Sequence, residues 1–308
     1  MSMRVTFLGT GGSVPTTERN PSSVLVNRDG DRLLFDVGEG TQRQMMRFGT
    51  GFTISDVFVS HLHGDHVLGL PGLLQTMDFN DREAALSLYV PAGAESDIEE
   101  LVHAADTHPS FPVHVYGVCP GEAAIVRDEY EVRAVRTDHD ANAVGYALVE
   151  DDRKGRFDRE RAEELGVPVG PKFSRLHEGK PVELDDGTVV RPEQVVGDAR
   201  PGRTLVYTGD TRPTETVEAA AEDADLLIHD ATFADDWTDR ATETAHSTAR
   251  QAGELAARAD AERLALTHIS SRYGGDVSDH LAEAREAFDG EVFVPDDGET
   301  VDVPYPEA

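Results

Sequence analysis

The chain has 308 residues, 59 acidic against 28 basic side chains, a net charge of −31 and an apolar fraction of 39%. Its length suits one large domain or two small ones, and no apolar run is long enough to cross a bilayer. A single cysteine, Cys119, excludes an internal disulfide and a cysteine-based zinc site.

The opening, from Met3 to Gly11, passes straight into strand-like alternation and a glycine turn, without the apolar core of a signal peptide, so a cytoplasmic location is expected. Short apolar runs bounded by Gly, Asp, Pro or Asn predict strands at 4–8, 32–37, 56–60, 87–90, 132–135, 144–149, 204–208, 225–229, 264–267 and 291–294. Helical patterns fall at 96–105, 214–221, 247–259 and 279–288, with Ser247 expected as an N-cap. Strands and helices in this order predict an α/β fold of layered sheets covered by helices.

Residues 151–196 break the pattern. The stretch is charged, contains Gly166-Val167-Pro168-Val169-Gly170-Pro171 and a turn signal at Asp185-Asp186-Gly187, and is expected as an arm inserted into a single domain of 1–308. All three lysines of the chain, Lys154, Lys172 and Lys180, lie in it. Residues 151–181 hold eight bases and seven acids, a balance of +1 that leaves −32 for the rest. A solvated surface helix and a polyanion site both fit that balance. The acidity elsewhere, with arginine replacing lysine, suits concentrated salt, where a Debye length of ~3 Å at about 1 M makes self-repulsion tolerable.

The densest chemistry is Ser60-His61-Leu62-His63-Gly64-Asp65-His66, directly after the apolar Val57-Phe58-Val59. Imidazole and carboxylate are ligands for zinc and similar metals. His61 and His63 alternate as at a strand end and share a side, Gly64 permits a sharp turn, and Asp65 and His66 diverge toward a second metal. Three further residues end predicted strands: His139, Asp210 and His268. The ligand count then closes. One metal takes His61, His63 and His139, the other takes Asp65, His66 and His268, and Asp210 bridges both. Paired metals about 3.5–4 Å apart activate a shared water for attack at phosphorus. Zinc is expected, with Mn2+ or Fe2+ also compatible with nitrogen and oxygen ligands. His246, just before a helix, is placed to protonate a leaving oxygen. His229 is expected beside the ligands without binding metal, and His280 at the start of a polar helix.

The His-x-His-x-Asp-His segment resembles the metallo-β-lactamase superfamily. The resemblance narrows to the short form of the ribonuclease Z family, tRNA 3′-processing endonucleases. It is carried by Phe7-Leu8-Gly9-Thr10-Gly11 with Pro15 and Arg19-Asn20, Phe35 to Gln42, Gly69 to Leu74, Thr208 to Arg212, Ala231-Thr232-Phe233, His246-Ser247-Thr248 and Thr267 to Tyr273. It implies an αββα sandwich with an inserted flexible arm, two Zn2+ per subunit, a homodimer and precursor tRNA as partner. It implies cleavage 3′ of the discriminator nucleotide, leaving a tRNA 3′-OH and a trailer 5′-phosphate. Asp65 would orient the water or take its proton, His246 would assist the departing oxygen, and Arg272 would hold the scissile phosphate or the freed tRNA end. Gly166 to Pro171, with Leu176 and Gly179, resembles the family's tRNA-binding exosite, which would make Lys154, Lys172 and Lys180 RNA contacts. A hydrolase of small esters, thioesters or phosphodiesters would share the ligand set. The acidity departs from the more basic bacterial relatives and points to a halophilic archaeon.

Overall fold

The computed structural model describes residues 2–104 and 108–306. The chain divides into two compact units, one formed by 1–149 and 203–304 and the other by 150–202 with 305–308.

In the larger unit, strands that read as continuous apolar runs are buried on both faces, as sheets covered by helices require. One sheet orders Thr300–Asp302, Met3–Gly9, Ser23–Arg28, Asp31–Phe35, Asp56–Phe58, Leu86–Pro91 and Val113–Val118. The other orders Glu291–Phe293, Arg263–Thr267, Leu226–Asp230, Thr204–Tyr207, Val144–Glu150, Tyr130–Arg136 and Ala123–Val126. Alternation along each strand divides its side chains between two cores. Phe7, Leu33, Phe35, Phe58, Tyr146, Leu205, Tyr207 and Ile228 fill the space between the sheets. Leu34, Val57 and Val59 turn outward to helices Thr41–Arg47, Leu70–Phe79 and Glu95–Val102. Val206, Leu227, Leu264 and Leu266 turn outward to helices Glu215–Ala220, Ala249–Arg258 and Ser278–Ala287. The result is the expected αββα sandwich. Phe35 and Phe58 stack with centroids 5.0 Å apart. Across the layer, the Tyr146 hydroxyl donates to the Val59 carbonyl at 2.8 Å, which locks the second sheet onto the residue before the His-rich loop. Among the described residues, no helix is long and apolar enough to cross a membrane.

Several expected elements shift. Thr248, whose side chain accepts from the Gln251 N–H, caps helix Ala249–Arg258. Ser247, expected in that role, instead donates to the Thr211 carbonyl at 2.7 Å. Helix Leu70–Phe79 went unpredicted because Pro71 and Gly72 punctuate its start. Proline is tolerated in the first turn, and a Cβ at Gly72 would lie 2.7 Å from the Gln42 side-chain oxygen. The helix expected over 96–105 ends at Val102, and Ala105 lies outside the described residues. His280 is fully buried, with its ring edge-on to Tyr273, rather than opening a polar helix face.

The smaller unit contains the arm expected over 151–196. It runs wider and has a core of its own: Ala162, Val167, Leu176, Val182, Val190 and Val195. These positions are too sparse to stand out in a charged sequence. Asp158 caps helix Arg159–Glu164, Gly166 follows it at φ 80, and Pro171 opens helix Pro171–His177. Gly187, at φ 85, turns the hairpin of Val182–Glu183 and Val189–Val190. The glycines and prolines that stand out in the sequence therefore also shape this unit.

Candidate metal centre

Both sheets deliver polar residues to one edge of the sandwich. Asp36 follows strand Asp31–Phe35, and the segment from Ser60 to His66 follows Asp56–Phe58 and enters the one-turn helix Gly64–Val67. His139, Asp210 and His268 follow strands Tyr130–Arg136, Thr204–Tyr207 and Arg263–Thr267, and Asp230 ends Leu226–Asp230.

The hydrogen bonds fix how each imidazole faces. His66 Nδ1 donates to Asp36 Oδ2 at 2.7 Å. His61 Nδ1 donates to Ser60 Oγ at 3.0 Å, and that hydroxyl passes its proton bond to Asp36 Oδ2 at 2.7 Å. His139 Nδ1 donates to the Ala245 carbonyl at 2.9 Å. His268 Nδ1 donates to Thr232 Oγ1 at 2.8 Å, and Thr232 donates to Asp230 Oδ1 at 2.7 Å. With Nδ1 protonated in all four, each Nε2 presents a bare lone pair, the arrangement that orients and strengthens a metal-binding histidine. His63 faces the other way: its Nδ1 lies 3.2 Å from His139 Nε2.

Those lone pairs converge. Donor atoms of His61, His63, His139 and Asp210 lie within 4.8 Å of one another, as do those of Asp65, His66 and His268. Asp210 joins the groups: its carboxylate is 3.5 Å from His61 Nε2 and 3.3 Å from both His66 Nε2 and His268 Nε2. His61 Nε2, His66 Nε2 and Asp210 Oδ1 are buried with no hydrogen-bond partner among the described residues. Orphaned polar atoms in a core are costly, and a divalent cation satisfies all three. This donor set therefore fits divalent metal ions.

The electrostatics agree. Burial pushes His61 well below the ordinary imidazole range, so its lone pair is free at neutral pH. Burial also opposes a proton on His66, but Asp210 and Asp36 outweigh it and hold His66 well above its ordinary value. Positive charge is favoured at that point, so without a metal ion Nε2 takes up a proton, and a divalent ion bound there would displace it. Burial would raise Asp65, but hydrogen bonding and charge from His268 and His66 override it and hold the carboxyl below its ordinary range. Asp65 Oδ2 also accepts the Ser13 N–H at 2.7 Å and lies 3.1 Å from His268 Nε2. A cleft of about 340 Å³, lined in part by Ser13, Glu39, His63 and Asp65, opens beside it. His246 Nδ1 donates to Asp230 Oδ2 at 2.8 Å. Burial would lower His246, but the carboxylates of Asp230 and Asp210 raise it to about 9.

The backbone is bent to make this site. Asp36, Ala245, His268 and Ser13 all adopt positive φ, between 57° and 64°. Among the described residues, the other four non-glycine residues with positive φ are aspartates, Asp29, Asp81, Asp223 and Asp260, in surface turns. Left-handed backbone costs about 1–2 kcal/mol at such residues, and it concentrates where the site needs it. Gly12 lies so close that a Cβ there would sit 2.5 Å from the His268 ring.

The structure thus brings His61, His63, Asp65, His66, His139, Asp210, His246 and His268 together. Arg272 is exposed, with its guanidinium 3.7 Å from the Trp237 ring centroid. Lys154, Lys172 and Lys180 belong to the smaller unit. Lys172 donates to the Glu183 carbonyl at 2.9 Å and Lys180 pairs with Glu178 at 2.8 Å, while Lys154 is exposed. Sequence reasoning missed Asp36 and Asp230. Both end apolar strands, the same signal that singled out Asp210. His229, expected beside the ligands, points its Nδ1 at the Asp230 carbonyl at 2.8 Å and is buried, while its neighbour Asp230 makes the contacts to the site.

Two family models match the chain: the anti-Pycsar protein Apyc1 over residues 3–153 and the beta-lactamase superfamily domain over residues 185–269. Ribonuclease Z of Natronomonas pharaonis is 67% identical over 307 residues, covering 100% of both chains. The chain belongs to the ribonuclease Z family. Ribonuclease Z of Halorubrum lacusprofundi is 65% identical over 308 residues, covering 100% of this chain and 99% of the relative. Among solved structures, human tRNase Z, short form, matches with a TM-score of 0.71 at 27% identity, covering 98% of this chain and 99% of that one.

Asp36 accepts from Ser60 N at 2.7 Å, Ser60 Oγ, His66 and the Tyr207 hydroxyl, so it holds the ligand segment to both sheets. Asp36→Ala is expected to weaken metal retention against a competing chelator by ~10–100-fold. It is also expected to cost about 3–5 kcal/mol in denaturant unfolding, because a buried pair is broken.

Proposed function

We propose that this chain is a zinc-dependent endoribonuclease that removes the 3′ trailer from tRNA precursors, cutting 3′ of the discriminator nucleotide. The observation that carries the proposal is the set of Nε2 lone pairs and orphaned carboxylate oxygen, held by Nδ1 anchors, in a full-length member of the ribonuclease Z family. His61, His63 and His139 would hold one ion, Asp65, His66 and His268 a second, and Asp210 both. The histidine-rich nitrogen and oxygen donors favour zinc over harder cations. Two such ions supply a nucleophilic water at neutral pH and charge to receive the phosphoryl oxygens.

Asp65, kept ionised and fixed by the Ser13 N–H, orients the attacking water and takes its proton. His246, kept protonated by Asp230, gives its proton to the departing 3′ oxygen, so the tRNA ends in 3′-OH and the trailer in 5′-phosphate. Arg272 contacts the scissile phosphate or the freed end. The near-neutral balance of 151–181 in a chain of −31 supports the smaller unit, with Lys154 and Lys180 exposed and Lys172 half-buried, as the RNA grip. The resemblance of residues 166–171 adds the expectation of a homodimer in which one subunit's unit holds tRNA bound to the other. The acidic surface supports work in the concentrated salt of a halophile's cytoplasm, where long-range phosphate attraction is screened.

A precursor tRNA with a 3′ trailer, incubated with the protein in concentrated KCl, is expected to yield a mature 3′-OH and a trailer 5′-phosphate. A chelator should abolish this and added zinc restore it. No cleavage by metal-loaded protein, or cuts scattered along the precursor, would contradict the proposal. His246→Ala is expected to lose ~10²–10⁴-fold in rate with metal content intact. The His246 proton is present at low pH and lost as pH rises, so the rate should decline on the alkaline side. Asp230→Asn removes what raises His246 and should move that decline to lower pH. An unmoved pH profile would remove His246 from the role of acid.

A further inference from the structure

Trp237 is the only tryptophan in the chain and stands 41% exposed at the end of the turn Asp235–Trp237. The Arg272 guanidinium lies over it, 3.7 Å from the ring centroid, and 5.3 Å from the Phe233 centroid. Phe233 in turn is 6.2 Å from the His246 ring, which stacks on His268 at 5.0 Å. A continuous line of flat groups thus runs from the metal centre to the surface. The turn that presents Trp237 is braced: Asp235 N–H donates to Glu283 at 2.9 Å, Arg250 pairs with Asp235, and the Tyr273 hydroxyl accepts the Ala234 N–H at 2.8 Å.

The charge around this ledge selects what it can hold. Asp236 and Asp239 flank Trp237 and are exposed, which disfavours a phosphate on that side. An uncharged aromatic ring meets no such penalty. Stacking on indole and guanidinium planes is tolerant of sequence and independent of counterion release, which suits a protein whose acidic surface cannot attract phosphate at long range.

We propose that Trp237 and Arg272 form a stacking ledge that holds an unpaired nucleobase of the RNA beside the metal centre. The proposal rests on the nuclease reading above and assigns it a positioning residue. The lone tryptophan reports on it directly. Metal-loaded protein in concentrated KCl is titrated with a short single-stranded DNA oligonucleotide and, separately, with a blunt duplex of the same composition. Quenching of tryptophan emission by the single strand and little by the duplex is expected, with Arg272→Ala weakening the binding several-fold. Trp237→Ala should raise KM for a trailer-bearing precursor about tenfold while lowering kcat less, within the range of one lost base stack, and Trp237→Phe should restore most of it. Metal content of the variants checks that they fold. Equal quenching by duplex, or no quenching together with an unchanged KM in Trp237→Ala, would overturn the ledge. If the wild type quenches with single strand yet cleaves no precursor, the nuclease reading fails while the ledge stands.

Discussion

Bare imidazole nitrogens and carboxylate oxygens, turned toward one another where water is excluded, constrain everything else in this molecule. His61, His66, His139 and His268 each show Nε2 inward because each has its Nδ1 proton engaged elsewhere. That requirement recruits Asp36, Ser60, Thr232, Asp230 and the Ala245 carbonyl, and Asp36, Ala245 and His268 itself take up backbone that L residues seldom adopt. At Asp36 and His268 the strain is placed at strand ends, where a rigid sandwich over-determines the conformation. The sheets therefore serve less as a surface than as a clamp. Tyr146 and Tyr207 reach from one sheet to the Val59 carbonyl and Asp36 of the other, so movement between the layers would be felt at the ligands.

The same constraint explains how a chain of −31 handles a polyanion. Close to the site, two divalent cations would offset the local carboxylates. Farther out, the acidic surface offers no long-range attraction, and in concentrated salt it would need none. On the proposal made above, affinity would rest on short-range contacts: flat groups such as Trp237 and Arg272, and the compact unit of 150–202, whose residues 151–181 carry a balance of +1. Such a division would separate chemistry from grip, and let the surface acquire acids without disturbing either.

Much of this was legible in the sequence, for identifiable reasons. Candidate ligands at the ends of apolar runs announce themselves because strands buried on both faces leave few polar residues near the core. His139, Asp210 and His268 were found that way. Asp36 and Asp230 carry the same mark but lack a metal-like motif around them, so only their contacts reveal their part in anchoring. The left-handed turns at Ala245 and His268 have no sequence signature, since neither is glycine or asparagine. The core of the inserted unit was not legible because it is only a handful of residues among charges. Helix Leu70–Phe79 was hidden by the proline and glycine in its first turn.

The central claim is that this edge of the sandwich is built for two divalent ions. Elemental analysis of fully active protein, after exchange into metal-free concentrated salt, tests it most directly. The account predicts two zinc ions per chain in the wild type. In His139→Ala, which touches only one donor group, it predicts selective loss of one ion. A fully active protein that holds one ion or none, or a His139→Ala variant that keeps both, would contradict it.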